Sequence, residues 1–191
     1  MSSIAGHAAA GVAFFMASRR WLPTRSWWAA LPFVALAVCP DLDYFAVWLF
    51  DYAADPRITH SLLFAMVTAL LVWIPLATTA STRLPFLALL TASASHPLLD
   101  LAVGAHPVPV LWPLGPELSA PVGLLPSAGA LSLGNYYLWR NVVIELGVLL
   151  PALALIVACC RRYPPQRVRI WTLRLILPWS AMLAWSMSLP R

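Results

Sequence analysis

The chain has 191 residues, 61% of them hydrophobic and 10% charged, with a mean hydropathy of +0.80. A water-soluble domain carries about 25% charged residues, so an ordinary soluble protein is excluded. The net charge of +5 comes from arginines alone, and these fall mostly in short loops, so no nucleic-acid partner is expected. The three cysteines, Cys39, Cys159 and Cys160, are too few and too poorly spaced for a disulfide framework or a thiolate zinc motif.

The expected fold class is all-α: a polytopic membrane helix bundle forming one membrane-embedded domain over residues 1–191. A bilayer core needs about 20 apolar residues per helix, and six stretches come near that length, at roughly 3–20, 26–49, 59–80, 84–103, 136–160 and 168–189. The first reads as a retained helix and not a signal peptide, because Arg19 and Arg20 follow its apolar run instead of preceding it. Pro32, Pro40, Pro75, Pro151 and Pro178 fall inside spans and predict kinks, which neighbouring helices can accommodate.

Arginines set the orientation. Arg19, Arg20 and Arg25 lie between spans one and two, Arg83 between three and four, and Arg161, Arg162, Arg167 and Arg169 between five and six. These alternate loops share a side, which the positive-inside rule makes cytoplasmic. All the acids then fall on the other side: Asp41, Asp43, Asp51, Asp55, Asp100, Glu117 and Glu145. The histidines, His7, His60, His96 and His106, follow them. The expected location is therefore the inner (plasma) membrane, multi-pass, with a polar layer toward the non-cytoplasmic side.

Ionisable groups inside a hydrocarbon layer cost about 2.5–3.5 kcal/mol each and are usually functional. In chain order the first is His7, in Gly-His-Ala-Ala-Ala-Gly, whose small neighbours permit close helix packing; an interhelical hydrogen bond is the structural alternative to metal ligation. Asp41 and Asp43 follow Pro40, and two positions apart they diverge on an ideal helix unless Pro40 starts a new turn. Asp41 is the preferred ligand, with helix capping the alternative for Asp43. Thr59-His60-Ser61 opens span three: His60 is a candidate ligand, and either hydroxyl is expected to cap the helix. His96 and Asp100 stand four apart, so a helix projects both from one face within reach of a single cation. Pro97 permits this only if it opens a turn. Asn141 and Glu145 repeat that spacing at the head of span five, with an ion pair to Arg140 as the alternative role for Glu145.

The metal set is thus His7, Asp41, His60, His96, Asp100 and Glu145, and the catalytic set Asp41, Asp43 and Arg57. A mixed imidazole and carboxylate shell suits a divalent cation, zinc first, with room for one to three ions. Such a centre lowers the pKa of bound water and polarises an ester or phosphoryl oxygen, so metal-assisted hydrolysis is the expected class. Residues 104–134, with six prolines and five glycines, are too irregular for a helix and too apolar for a solvated loop. They are expected to form a re-entrant or interfacial cap, with Trp112 at headgroup level and passive packing as the alternative. The implied partners are membrane lipid and a phosphoester or lipid-like substrate; no protein partner is legible.

These motifs resemble the inner-membrane metal-dependent hydrolases of the LexA-binding type. The resemblance rests on His7 to Gly11, Pro40-Asp41-Leu42-Asp43, Thr59-His60-Ser61, His96 to Asp100, Val110-Leu111-Trp112-Pro113-Leu114 and Glu145, in the family's order. One departure stands out: Asp55-Pro56-Arg57 replaces the family's His-Arg-Gly, so a histidine is lost and an aspartate takes its place. The order of ligands is also distantly similar to the zinc phospholipase C and P1-type nuclease superfamily, with Asn141 where that pattern has a histidine. This second resemblance implies phosphoester hydrolysis with fewer metals. The rival reading is a non-enzymatic membrane protein, either an ion or proton carrier or a degenerate partner-binding relative. A carrier should line both halves of the membrane with polar groups, whereas here they gather in one.

Overall fold

A computed structural model describes residues 1–22, 26–77, 84–127 and 134–189. Arg25, Arg83, the end of the third predicted span and residues 128–133 of the long loop fall outside them. The described residues form seven α-helices: α1 (Ile4–Ser18), α2 (Leu31–Val38), α3 (Tyr44–Phe50), α4 (Leu62–Ala77), α5 (Phe86–Val103), α6 (Tyr136–Cys160) and α7 (Pro165–Ser188). Among them there is no strand, only an isolated antiparallel bridge between Val108 and Leu118 in the long loop. The chain is a helical membrane bundle.

The predicted second span is divided in two. Pro40 has no N–H to continue the helical ladder, and the backbone tightens into a 3-10 segment, Cys39–Asp43, between α2 and α3. Pro97, by contrast, lies inside an unbroken α5 and is fully buried. His60 sits in a 3-10 turn, Ile58–His60, and α4 starts two residues later. Among the described residues three segments are long and apolar enough to cross a membrane: Trp27–Phe50, Phe86–Val103 and Tyr136–Cys160. The last predicted span corresponds to α7, whose first half carries Arg167, Arg169 and Arg174.

Helix α1 is the centre of the bundle, in contact with α2, α5 and α6. Its small residues allow this. A side chain at Gly11 would begin 2.8 Å from the Val34 Cα and 2.9 Å from the Phe33 carbonyl oxygen of α2, so the two backbones are nearly touching. One apolar cluster joins Ala10, Ala13 and Ala17 of α1 to Val103, Val148, Leu149, Leu153 and Val157. A second joins Phe15 to Phe33, Leu36, Ala69, Leu89 and Ala92. Large apolar side chains also point outward: Trp28, Phe50, Leu87 and Leu177 are each more than two-thirds exposed. In water such a surface would drive aggregation; in lipid it is the expected exterior.

Candidate metal centre

Buried polar groups ordinarily find hydrogen-bond partners. Here a set of them does not. His7 Nδ1 and Nε2, His60 Nε2, His96 Nε2, Asp41 Oδ1 and Asp100 Oδ2 are all buried without one. They come from α1, the turn before α4, α5 and the 3-10 segment after α2, and they converge. His96 Nε2 lies 3.7 Å from Asp41 Oδ1 and 3.3 Å from Asp100 Oδ2. His60 Nε2 lies 3.7 Å and 3.5 Å from the same two oxygens. His7 Nε2 approaches the other oxygen of each, at 3.9 Å from Asp41 Oδ2 and 3.5 Å from Asp100 Oδ1.

The magnitudes discriminate between two interpretations. A hydrogen bond between such atoms spans about 2.7–3.2 Å. Two ligands about 2.0–2.1 Å from one tetrahedral ion stand about 3.3 Å apart. The observed 3.3–3.9 Å separations are longer than hydrogen bonds and leave room for a shared cation. Two buried triads satisfy metal-ligand spacing, His7 with Asp41 and His96, and His60 with His96 and Asp100. These residues could hold a metal ion, and the unpartnered atoms fit that role.

The outer contacts orient the rings. His96 Nδ1 lies 2.7 Å from the Ala37 carbonyl oxygen, which can only accept, so Nδ1 carries the proton and Nε2 presents its lone pair to the cluster. His60 reaches the same state through Thr59. The Thr59 hydroxyl donates to Asp43 Oδ2 at 2.8 Å and so accepts from His60 Nδ1 at 3.0 Å. His7 stacks on His96 with ring centroids 3.7 Å apart.

The catalytic set divides. Asp41 belongs to the cluster, but Asp43 turns the other way, as a separation of two positions at three residues per turn requires. Its two oxygens pair with Arg57 Nε, at 2.9 Å, and Nη2. Burial opposes the Arg57 charge, yet the Asp43 carboxylate more than offsets this and raises the guanidinium above its ordinary range. Arg57 also lies over the Tyr44 ring, 4.6 Å from its centroid, and its Nη1 meets Met1 Sδ. Asp43 is therefore a clamp for Arg57 and Thr59, not a helix cap.

Glu145 is buried but stands outside both triads. Its carboxylate accepts from the Ser2 hydroxyl and, at 3.1 Å to each oxygen, from the Ser3 N–H. The Ser2 N–H in turn donates to Asp100 Oδ1 at 2.8 Å, so these serines bridge Glu145 to the cluster. Sequence alone does not single them out, because a serine before a helix reads as a cap, which Ser3 also is, accepting from the Gly6 N–H. Of the two hydroxyls expected to cap α4, Ser61 does so, accepting from the Phe64 N–H at 3.1 Å, whereas Thr59 serves the His60 ring. Asn141 and Arg140 contact one another and leave Glu145 alone. Asn141 donates to the Ser127 carbonyl, and Arg140 lies near the Tyr137 ring.

A cavity of about 240 Å³ opens onto His60, Asp100 and Arg57. Its far wall is the long loop, which contributes His106, Pro107, Val108, Pro109 and Glu117; Asp55 lines it too. Leu62 N–H donates to the Val110 carbonyl at 2.9 Å and so ties the loop to the head of α4.

Residues 1–164 match the YdjM inner membrane protein family. The chain belongs to that family. No curated protein and no solved structure matches it. The match covers every residue of the cluster and ends one residue before α7. An inner-membrane location for the chain follows from this membership together with the three apolar segments of crossing length.

Proposed function

We propose that the chain is a multi-pass, membrane-bound metal-dependent hydrolase of phosphoester bonds, acting on a lipid-like substrate. The observation that carries this reading is the convergence of three imidazole Nε2 atoms and two carboxylate oxygens, all buried and all without hydrogen-bond partners. Leaving them so costs about 1–3 kcal/mol each, a cost that a divalent cation removes. His60, His96, Asp41 and Asp100 would hold the ion, with His7 as a further ligand or half of a second site. Zinc is the first expectation for such a donor set. When bound, it supplies a water of lowered pKa and a Lewis acid for the phosphoryl oxygen.

The remaining groups handle the substrate. Arg57 uses Nε and Nη2 on Asp43, which fixes the guanidinium plane, and at the cavity a phosphate oxygen would take the place of Met1 Sδ on Nη1. Asp43 thus positions Arg57 directly and His60 through Thr59. The loop wall, Pro107 to Pro109, keeps bulk water from the reacting atoms and offers an apolar approach for a lipid-like ester. The arginines of the α1 and α6 ends lie at the opposite end of the bundle from His7 and Glu145, which supports placing the cluster toward the non-cytoplasmic side.

The test is metal content of the purified protein beside His96→Ala and Asp100→Ala, together with hydrolysis of a chromogenic phosphodiester. The reading requires bound divalent metal and turnover in the wild type, with both lost in the variants. Equal, negligible metal in all three proteins would overturn it and favour the partner-binding alternative. Hydrolysis that survives both substitutions would locate the activity elsewhere.

A further inference from the structure

The junction of α6 and α7 is a second polar region, about 25 Å along α6 from Glu145 and separate from the histidine cluster. Residues 146–191 contain six arginines and no acidic residue. Their charge therefore has no acidic counterpart in this part of the chain.

Two of these arginines, Arg162 and Arg169, line one open cleft of about 440 Å³, together with Ala158, Tyr163, Val168 and Leu173. Among the described residues neither has an ion-pair partner, so both guanidinium groups are available. Capping does not consume them either. The last carbonyls of α6 are taken by backbone N–H groups, with Arg162 N–H donating to Cys159 O at 3.1 Å and Tyr163 N–H to Ala158 O at 3.0 Å. Arg162 stands in the left-handed region, with φ of 54°, a conformation that costs a non-glycine residue energy and here turns the chain from α6 into α7.

The cleft continues into an apolar groove. Thr172 lines it and also lines a neighbouring groove of about 300 Å³ whose other walls include Leu155, Ile156, Leu175, Ile176 and Trp179. Residues 155 and 159 of α6, and 169, 172, 176 and 179 of α7, are three or four apart and so share one face of their helix, with Arg162 in the turn just past the end of α6. A cationic end thus leads into an apolar groove along the same pair of helices.

We propose that this two-part cleft is a binding site for an anionic phospholipid, with its phosphate held by Arg162 and Arg169 and an acyl chain lying along Leu155, Leu175 and Trp179. Charge selects the headgroup: two unneutralised arginines favour a lipid of net negative charge over a zwitterionic one. The groove selects a lipid over a free anion, since a soluble phosphate would leave those apolar walls empty. Arg169, Leu175 and Trp179 lie on α7, beyond the part of the chain that matches the family, whereas Leu155 and Arg162 lie within it.

The experiment is titration of delipidated protein in detergent with phosphatidylglycerol or phosphatidylcholine, read by native mass spectrometry and by thermal melting. Wild type is expected to bind phosphatidylglycerol at least about tenfold more tightly than phosphatidylcholine and to melt several degrees higher with it. Arg162→Gln/Arg169→Gln should lose about thirtyfold in affinity, about fivefold for each arginine. Leu155→Trp, which fills the groove and leaves the arginines intact, should also lose the lipid. His96→Ala should keep it. Equal binding of the two lipids, unchanged affinity in the glutamine double variant, or competition by inorganic phosphate at matching concentration would each overturn the proposal.

Discussion

The two ends of the helical bundle handle charge in opposite ways. At the end formed by the head of α1, the 3-10 segment after α2 and the head of α6, Asp41 and Asp100 face histidines and Asp43 faces Arg57, and His7, Asp41, His60, His96, Asp100 and Glu145 are buried. At the other end the arginines after α6 stand exposed with no acid in that part of the chain. Burying a charge in a low-dielectric interior is tolerable only when a partner arrives with it. The polar end brings most of its partners from within the chain, and the centre of its cluster could hold a cation. The arginine end is proposed to draw its counter-charge from an anionic lipid.

Predictions can break this comparison. The largest effect is expected from His96→Ala or Asp100→Ala, each of which removes a proposed ligand from the shared set. Bound metal should fall to background by elemental analysis, and chelator should lower the melting temperature of the wild type but not of the variants. If chelator leaves the wild type unmoved, the polar end is self-sufficient and the contrast between the ends disappears.

Next is Arg57→Gln. A charge-assisted hydrogen bond from the guanidinium to a phosphate oxygen is worth about 1.5–3 kcal/mol, so phosphodiester turnover should drop about tenfold to a hundredfold, seen mainly in KM, with metal content unchanged. Loss of metal along with activity would mean that Arg57 supports the cluster and does not meet substrate. Thr59→Val should be milder in turnover and visible in metal affinity, weaker by about tenfold, because His60 loses the hydroxyl that fixes its tautomer. A competition assay against a coloured chelator measures this. Unaltered affinity would remove Thr59 from the relay between Asp43 and His60.

The smallest expected change is at Ser186, whose buried hydroxyl donates to the Leu124 carbonyl at 2.7 Å and ties α7 to the long loop. Ser186→Ala should cost about 1 kcal/mol of stability, read as a small drop in melting temperature with metal binding intact. A change in turnover would show that α7 reaches the cap over the cavity.

Several parts of the centre are legible in the sequence. The four-residue spacing of His96 and Asp100 puts both on one face of any helix, and the structure has them 3.3 Å apart. The cost of ionisable groups in hydrocarbon marks His7, Asp41 and His60, and all three meet that pair. Asp43 and Glu145 look equivalent to their neighbours by the same criterion, yet one pairs with Arg57 and the other with Ser2 and Ser3. No local spacing predicts those partners, because they come from distant parts of the chain and depend on which backbone donor or side chain the packing brings alongside.

What the amino-acid order determined by itself was the helical membrane character of the chain and the segregation of its charges, since hydropathy and helical periodicity are local properties. Only the tertiary structure decided which carboxylates converge on the imidazoles and which are consumed elsewhere. A hydrogen bond or a shared ion requires approach within a few ångströms, and that distance is set by the packing of α1 against α2, α5 and α6.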